Sequence, residues 1–402
     1  MNWTAERESF DQYMKRVVRT VSNSGIVIWG AGKRLYDMDQ ELAEQLKIVA
    51  IIDSDVEKEG TAAVVGGQEY RIENPEVLKD RYQDEIVLIF TQAYKEVAMQ
   101  LKEYGVAEER YYIFMEFVSS WNWKKHHQIV LDEIDIPISN LCNLKCRDCI
   151  SYVPRTLRPM NFPLEELKTS IDYFFKNVDS VKRIVIAGGE TFLYPQLEQL
   201  LLYLDERYGN RFGKITLITN GLVKPNDSFA EVCGKVSFEV VISDYGTLQS
   251  RELLDEIRDR FERNGISCFI ENKFGIHDGE HRWFSMGDPT TEQKLSAEEL
   301  KDKYEKCTNV SRHLCQNKIM YCTPAYGGTR NMELPYEEGD VLDLENIRTD
   351  EDKLSILKYY MGYLSKGYLD MCNRCTGFGK VLNPNYVAVA LQEDSGCVRD
   401  NS

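Results

Sequence analysis

Residues 133–149 read EIDIPISNLCNLKCRDC, an apolar run delivered straight into three cysteines, Cys142, Cys146 and Cys149, in C-x3-C-x2-C spacing. The isoleucines mark a buried strand, since branched side chains fit the pleat of a sheet. The cysteines then occupy the loop at that strand's C-terminal end, where parallel β/α sheets place their chemistry. Three thiols are one too few to close a tetrahedral metal site. An iron–sulfur cubane is normally held by four thiolates, one per iron, so a three-cysteine loop leaves one iron open to a ligand. A zinc site that borrows a distant fourth ligand, or three unrelated thiols, are the alternatives on residues alone.

The strand pattern repeats downstream. RIVIAGGE (183–190), KITLITNG (214–221), SFEVVISDYG (237–246) and ISCFIEN (266–272) are apolar runs separated by helix-length segments such as 164–176 and 194–207. This alternation predicts an α/β domain with a parallel sheet of five clear strands and no convincing sixth. Beyond residue 272 the periodicity fades into a Gly-, Asp-, Pro- and charge-rich stretch holding the later cysteines, followed by a helix around 350–365.

Upstream, residues 1–22 predict an amphipathic helix with Phe10, Tyr13, Met14, Val17 and Val18 at helical spacing. GIVIWGAGKRL (25–35), a helical stretch and KIVAIIDSD (47–55) give strand, glycine turn, helix and second strand, and EIVLIF (85–90) adds another strand. Gly30 and Gly32 stand in the turn, but Leu35 sits where a dinucleotide fingerprint has its third glycine. Asp53 ends the second strand, placed to accept ribose hydroxyls. Such a turn aims a helix N-terminus at phosphate, while a purely structural turn accounts for the same residues equally well. SSWNWKKHH (119–127) reads as the connection to the next domain.

With 402 residues the chain suits about two or three domains. A net charge of −16 argues against a broad grip on nucleic acid or anionic membrane and favours a small partner. The first residues lack a basic start before an apolar stretch, and no run reaches the roughly 18 apolar residues of a membrane span. A cytoplasmic protein is expected. Eleven cysteines, an odd number, then point to metal or redox chemistry before disulfides. Cys233 and Cys268 read as core residues, and Cys397 as incidental. His277, His281 and His313, and the pair His126 and His127, show no carboxylate spacing that marks catalysis and are expected to be exposed or structural.

Across roughly 131–271 the chain resembles the radical S-adenosylmethionine (SAM) superfamily, whose signature is this cysteine spacing after the first barrel strand. AGGET, with Gly188, Gly189 and Glu190, resembles the segment that receives the SAM amino group; TNG, with Asn220, resembles the ribose contact; Ser243 and Asp244 end the fourth strand, where further ribose or substrate contacts fall. Asp148 stands where members often carry an aromatic residue near the adenine. The resemblance implies a [4Fe–4S] cluster on Cys142, Cys146 and Cys149 that chelates SAM, one-electron cleavage to a 5′-deoxyadenosyl radical, and hydrogen abstraction from an unactivated carbon. It also implies a flavodoxin- or ferredoxin-type electron donor. Asp244 and Tyr245 are the candidates for touching substrate.

CTNVSRHLCQNKIMYC (307–322) and Cys372-Asn373-Arg374-Cys375 resemble the cluster-binding extension called SPASM, or Twitch in its short form. Asn317 takes the place of its glycine, a reasonable exchange in a hairpin turn that needs positive φ. Cys307, Cys322, Cys372 and Cys375 are then implied to hold a second, auxiliary [4Fe–4S] cluster, with Cys315 a rival for the first position and a four-thiolate zinc site the alternative. Residues 25–115 resemble Rossmann-like modules of bacterial sugar and surface-polysaccharide proteins, which implies a nucleotide or nucleotide-sugar ligand.

The expected architecture is a Rossmann-like domain (1–118), a linker (119–130), a partial radical SAM β/α barrel (131–271) and a Twitch/SPASM-like domain with its tail (272–402). The expected function is oxidation, epimerisation or elimination on a carbohydrate or nucleotide-sugar. A peptide-modifying enzyme and a non-catalytic iron–sulfur carrier are the rivals.

Overall fold

The computed structural model describes residues 9–32, 35, 38, 40–91, 93–225, 229, 232, 234–246, 248–272, 283–309, 311–379, 381–384 and 386–393. They fall into two compact units, which meet in sequence between Gln128 and Ile129.

The first unit opens with α1 (Phe10–Ser22), started by a capping box in which Ser9 and Gln12 satisfy each other's backbone N–H. Its sheet comprises β1 (Gly25–Trp29), β2 (Lys47–Ile52), β3 (Ala62–Val65), β4 (Gln68–Glu73), β5 (Ile86–Ile89) and β6 (Tyr111–Ile113), in the order β3-β4-β2-β1-β5-β6. Only the β3–β4 hairpin is antiparallel. Strand β5 is buried along its whole length, as an unbroken apolar run requires. Helices α2 (Gln40–Gln45), α3 (Tyr94–Glu103) and α4 (Phe114–His126) complete the unit. Stretch 119–127, expected as a connection, is mostly the second half of α4. Ser119, Ser120 and Trp121 are buried there, and Ser120 meets Met14 of α1. The basic and histidine residues that made this stretch look like a linker are its exposed last turn, where cations suit a helix C-terminus.

The second unit is built on five parallel strands in chain order: β7 (Val130–Pro137), β8 (Ser180–Ala187), β9 (Phe212–Thr219), β10 (Phe238–Asp244) and β11 (Ser267–Asn272). Helices α5 (Leu164–Asn177), α6 (Leu197–Tyr208) and α7 (Arg251–Arg263) intervene, and the result is a partial β/α barrel. Side chains alternate between its faces. Ile184, Ile215 and Val240 are fully buried, while their neighbours Arg183, Lys214 and Glu239 share the other face with Glu133 and Thr216. Laterally, Arg183 pairs with Glu133, and Thr216 donates to Glu239 at 2.9 Å.

The remaining elements are β12 (Trp283–Phe284), α8 (Ala297–Lys306), β13 (His313–Cys315), β14 (Lys318–Met320), β15 (Val341–Asp343), α9 (Asp350–Tyr360) and β16 (Tyr386–Val387). Beyond β11 the sheet carries no further strand among the described residues. The opposite edge is extended instead: β13 lies parallel to β7 through His313 and Asp135, and β14 and β15 follow antiparallel. Gln316 (φ 51°) and Asn317 (φ 59°) turn the β13–β14 hairpin, so Asn317 does adopt the left-handed conformation that its glycine-like position demands. No helix among the described residues is long and apolar enough to cross a membrane.

Candidate active site

The cysteine loop leaves β7 and is held from three sides. From β8, Gly189 N–H donates to Ser139 O at 2.9 Å and Glu190 N–H to Leu141 O at 2.8 Å. A Cβ on Gly189 would lie 1.9 Å from Leu141 O, and one on Gly188 2.6 Å from Ser139 O. These glycines therefore permit a close backbone approach to the chain's own cysteine loop.

Glu190, next in the chain, is held by its neighbours. Its carboxylate, 1% exposed, accepts from Thr219 Oγ1 (2.6 Å), Asn220 N–H (2.7 Å) and Phe192 N–H (3.0 Å). Burial pushes its pKa up, and those three donors pull against the rise. With three lone-pair positions committed, the side chain serves as a clamp between the ends of β8 and β9. Asn220 passes the clamp onward: its Nδ2 donates to Asn143 Oδ1 at 2.7 Å and reaches Cys142 Sγ at 3.8 Å. Asn220, the expected ribose contact, thereby also braces the cysteine loop.

At the end of β10, Gln249, which sequence reading missed, uses its whole amide. It donates to the carbonyls of Asn220 and Ser243 and accepts from Tyr245 N–H at 2.7 Å. Ser243 is buried, and its side chain bonds the Tyr245 hydroxyl, which burial holds well above its ordinary range. Tyr245 packs beside Cys146 and Cys149 and meets Trp283 edge-on at 5.5 Å. Asp244 caps Gly246 N–H at 2.9 Å and pairs with Arg251 at 3.8 Å. Apart from one lone glutamine, these predicted site residues do converge at one end of the barrel; a single Gln in a loop carries no pattern that a sequence reading could use.

Cys146 is buried, and Cys142 and Cys149 are half-buried. Burial pushes Cys142 up to about 12 and Cys146 up to about 11, with no cationic side chain among the influences on either. Burial raises Cys149 too, against backbone N–H groups of Val153, Ser151 and Tyr152. Leu144 N–H meets Cys142 Sγ at 3.4 Å, and Gln392 Nε2 meets Cys146 Sγ at 3.3 Å. Buried sulfurs ringed by N–H donors and lacking a side-chain counter-ion fit a cationic metal core that would ionise them. Among the described residues no three His, Cys, Asp or Glu side chains are placed to hold a single metal ion; a cubane binds each thiolate through a different iron, so its ligands stand apart.

A second thiol group forms where Cys307 ends α8 and Cys322, Cys372 and Cys375 lie on loops and short turns. Cys322 feels the charges of Cys375, Cys372 and Cys307. Phe378 N–H meets Cys307 Sγ at 3.4 Å, and buried Lys303 bonds the Cys375 carbonyl. Cys315 stands apart: on β13 it packs with Met320 and Tyr326, and Arg330, Glu166 and Lys318 are the charges it feels. Its rivalry with Cys307 ends there. Tyr152, buried and with its hydroxyl unpartnered among the described residues, feels Cys375 and Cys322 on one side and Cys149 on the other.

In the first unit, Gly30 has φ 125°, and open space faces Gly32. Asp53 is engaged within the unit. Its carboxylate accepts from Ala31 N–H (2.7 Å), Asp55 N–H (2.8 Å) and Lys58 Nζ (3.1 Å), and these bonds hold its pKa low despite burial. His313 and Cys268 are buried, His126 and His127 exposed; Cys233, Cys397, His277 and His281 lie outside the described residues.

Residues 136–242 match the model of the Radical SAM superfamily, and residues 22–112 match the model described as C2185-like, N-terminal. A GTP 3',8-cyclase from Helicobacter pylori is 31% identical over 100 residues, which cover 23% of this chain and 29% of that protein. The chain thus matches under a third of that relative's length. Among solved structures, SuiB from Streptococcus suis bound to S-adenosylmethionine is 23% identical over 44% of each chain, with a TM-score of 0.28. BtrN in complex with AdoMet and 2-DOIA is 12% identical, with 65% of this chain and all of that one covered, at a TM-score of 0.38.

Proposed function

We infer that this chain, whose residues 136–242 carry a radical SAM domain, is an enzyme that cleaves SAM reductively and abstracts hydrogen from a carbohydrate or nucleotide-sugar. The observation that carries the reading is the three-cysteine loop at the end of β7, its sulfurs partly shielded from water and met by N–H donors. Cys142, Cys146 and Cys149 would hold the SAM-binding [4Fe–4S] cluster, and Cys307, Cys322, Cys372 and Cys375 an auxiliary one. When bound, cluster and SAM supply a carbon-centred radical after one-electron reduction from a flavodoxin- or ferredoxin-type donor.

The protein's own part is positional. Glu190, Asn220 and Gln249 lock the ends of β8, β9 and β10 to one another and to the cysteine loop. Tyr245 and Trp283 wall one side of that loop against water. The first unit, a parallel sheet with a glycine turn after β1, we read as a Rossmann-like module. Its ligand would be a nucleotide or nucleotide-sugar at Gly30 and Gly32, with Asp53 shaping the turn. Residues 131–271 are assigned to the barrel and 272–402 to the auxiliary domain.

Anaerobically reconstituted protein is expected to hold about eight iron atoms per chain, and the Cys142→Ala, Cys146→Ala, Cys149→Ala triple variant about four. The triple variant should form no 5′-deoxyadenosine. Deuterium transfer into 5′-deoxyadenosine from a panel of labelled nucleotide-sugars identifies the substrate, and formation of 5′-deoxyadenosine at the wild-type rate by the triple variant would end the reading.

A further inference from the structure

Beyond Cys375 the chain does not trail away. Thr376 and Asn383 bond the Ser285 carbonyl, β16 pairs with β12, and residues 389–393 then lie across the cysteine loop. Cys146 and Gln392 form an antiparallel bridge, Arg147 N–H donates to Leu391 O at 2.8 Å, and Glu393 N–H donates to Lys145 O at 2.7 Å. The Gln392 side chain completes the join. Its Oε1 accepts from Lys145 N–H at 2.7 Å, while Nε2 donates to Ala390 O at 2.6 Å and to Cys146 Sγ at 3.3 Å. Because one partner is a donor and the others are acceptors, the amide has one orientation that satisfies all three. Ala390, 1% exposed, adopts φ 50°, a conformation uncommon without glycine, to keep the strap against Cys146.

We propose that Gln392 is a positioning residue that sets the reduction potential of the cluster on Cys142, Cys146 and Cys149 by donating its N–H to the Cys146 sulfur; this rests on the reading of those cysteines as cluster ligands. Reduction adds one electron, taken from a low-potential one-electron donor, and puts more negative charge on the ligand sulfurs. A donor aimed at one of them stabilises the reduced form more than the oxidised form and raises the potential. The strap also covers Cys146 with Val389 and Ala390, so water cannot replace the lost donor freely.

The test compares wild type, Gln392→Leu and Gln392→Glu after anaerobic reconstitution, with iron and sulfide counted and the potential read by titration under electron paramagnetic resonance. The signal followed is the one that changes shape on adding SAM. Both variants should keep wild-type iron and titrate at more negative potential, Gln392→Glu further than Gln392→Leu because it adds a negative charge. Variants that titrate with wild type, or that lose their iron, overturn the proposal. Wild-type protein with no SAM-responsive signal overturns the cluster reading itself, which separates the two failures.

Discussion

Asp135 and His313 meet at 3.6 Å where β7 and β13 pair, both buried. Burial, with Glu133 adding to it, raises the Asp135 pKa well above its ordinary value, while burial and the Arg312 charge lower His313 to about 3. In the fold His313 therefore stays neutral until about pH 3, whereas in the unfolded chain it protonates below about pH 6.5, so on its own it lowers stability as pH falls; the raised Asp135, which holds a proton in the fold where the unfolded acid has lost it, offsets that loss. Asp135→Asn removes the acid and leaves a folded histidine that cannot protonate. Stability of the variant should then fall relative to wild type as pH drops from about 6.5 towards 4.5, by up to about 1.4 kcal/mol per pH unit. Urea midpoints from pH 7 to 4.5 measure the difference, and parallel slopes would refute this proton assignment.

At the scale of elements, the β13–β14 hairpin shows why asparagine stands where a glycine would serve the turn. Asn317 tolerates φ 59°, and its side chain also works: Oδ1 accepts from Ser170 Oγ at 3.0 Å, and Nδ2 donates to Glu345 at 2.6 Å. Asn317→Gly should keep the turn and lose about 1–2 kcal/mol of stability with those two bonds. Asn317→Val, branched at positive φ, should lose more. Thermal melts of the three proteins give the order, and a glycine variant less stable than the valine variant would contradict it. The hairpin was legible because turn chemistry leaves a local signature, and the strands and the cysteine loop because periodicity and spacing do too. Other elements were not. The second half of α4 looked like a linker because its last turn is charged, and the 386–393 strap has no periodicity, since backbone bonds and one glutamine hold it. The intramolecular bonds of Glu190 and Asp53 were not legible either, because sequence shows a carboxylate at a strand end but not which way it turns.

Across the second unit, the strap starts at one thiol group and ends at the other, from Cys375 to the bonds on Cys146. Order at the first should therefore steady the second. A Cys372→Ala, Cys375→Ala variant is expected to lose amide-exchange protection in residues 386–392, although the substitutions lie outside that segment. Unchanged protection there would mean the strap stands without the auxiliary group.

The pairing of β13 with β7 has a further consequence, for biosynthesis. The first barrel strand leaves the ribosome long before the segment that covers its edge, so β7 must wait through most of the unit's translation with that edge bare. A nascent chain of this kind calls for a holding chaperone, or for slow elongation timed to the hairpin's arrival.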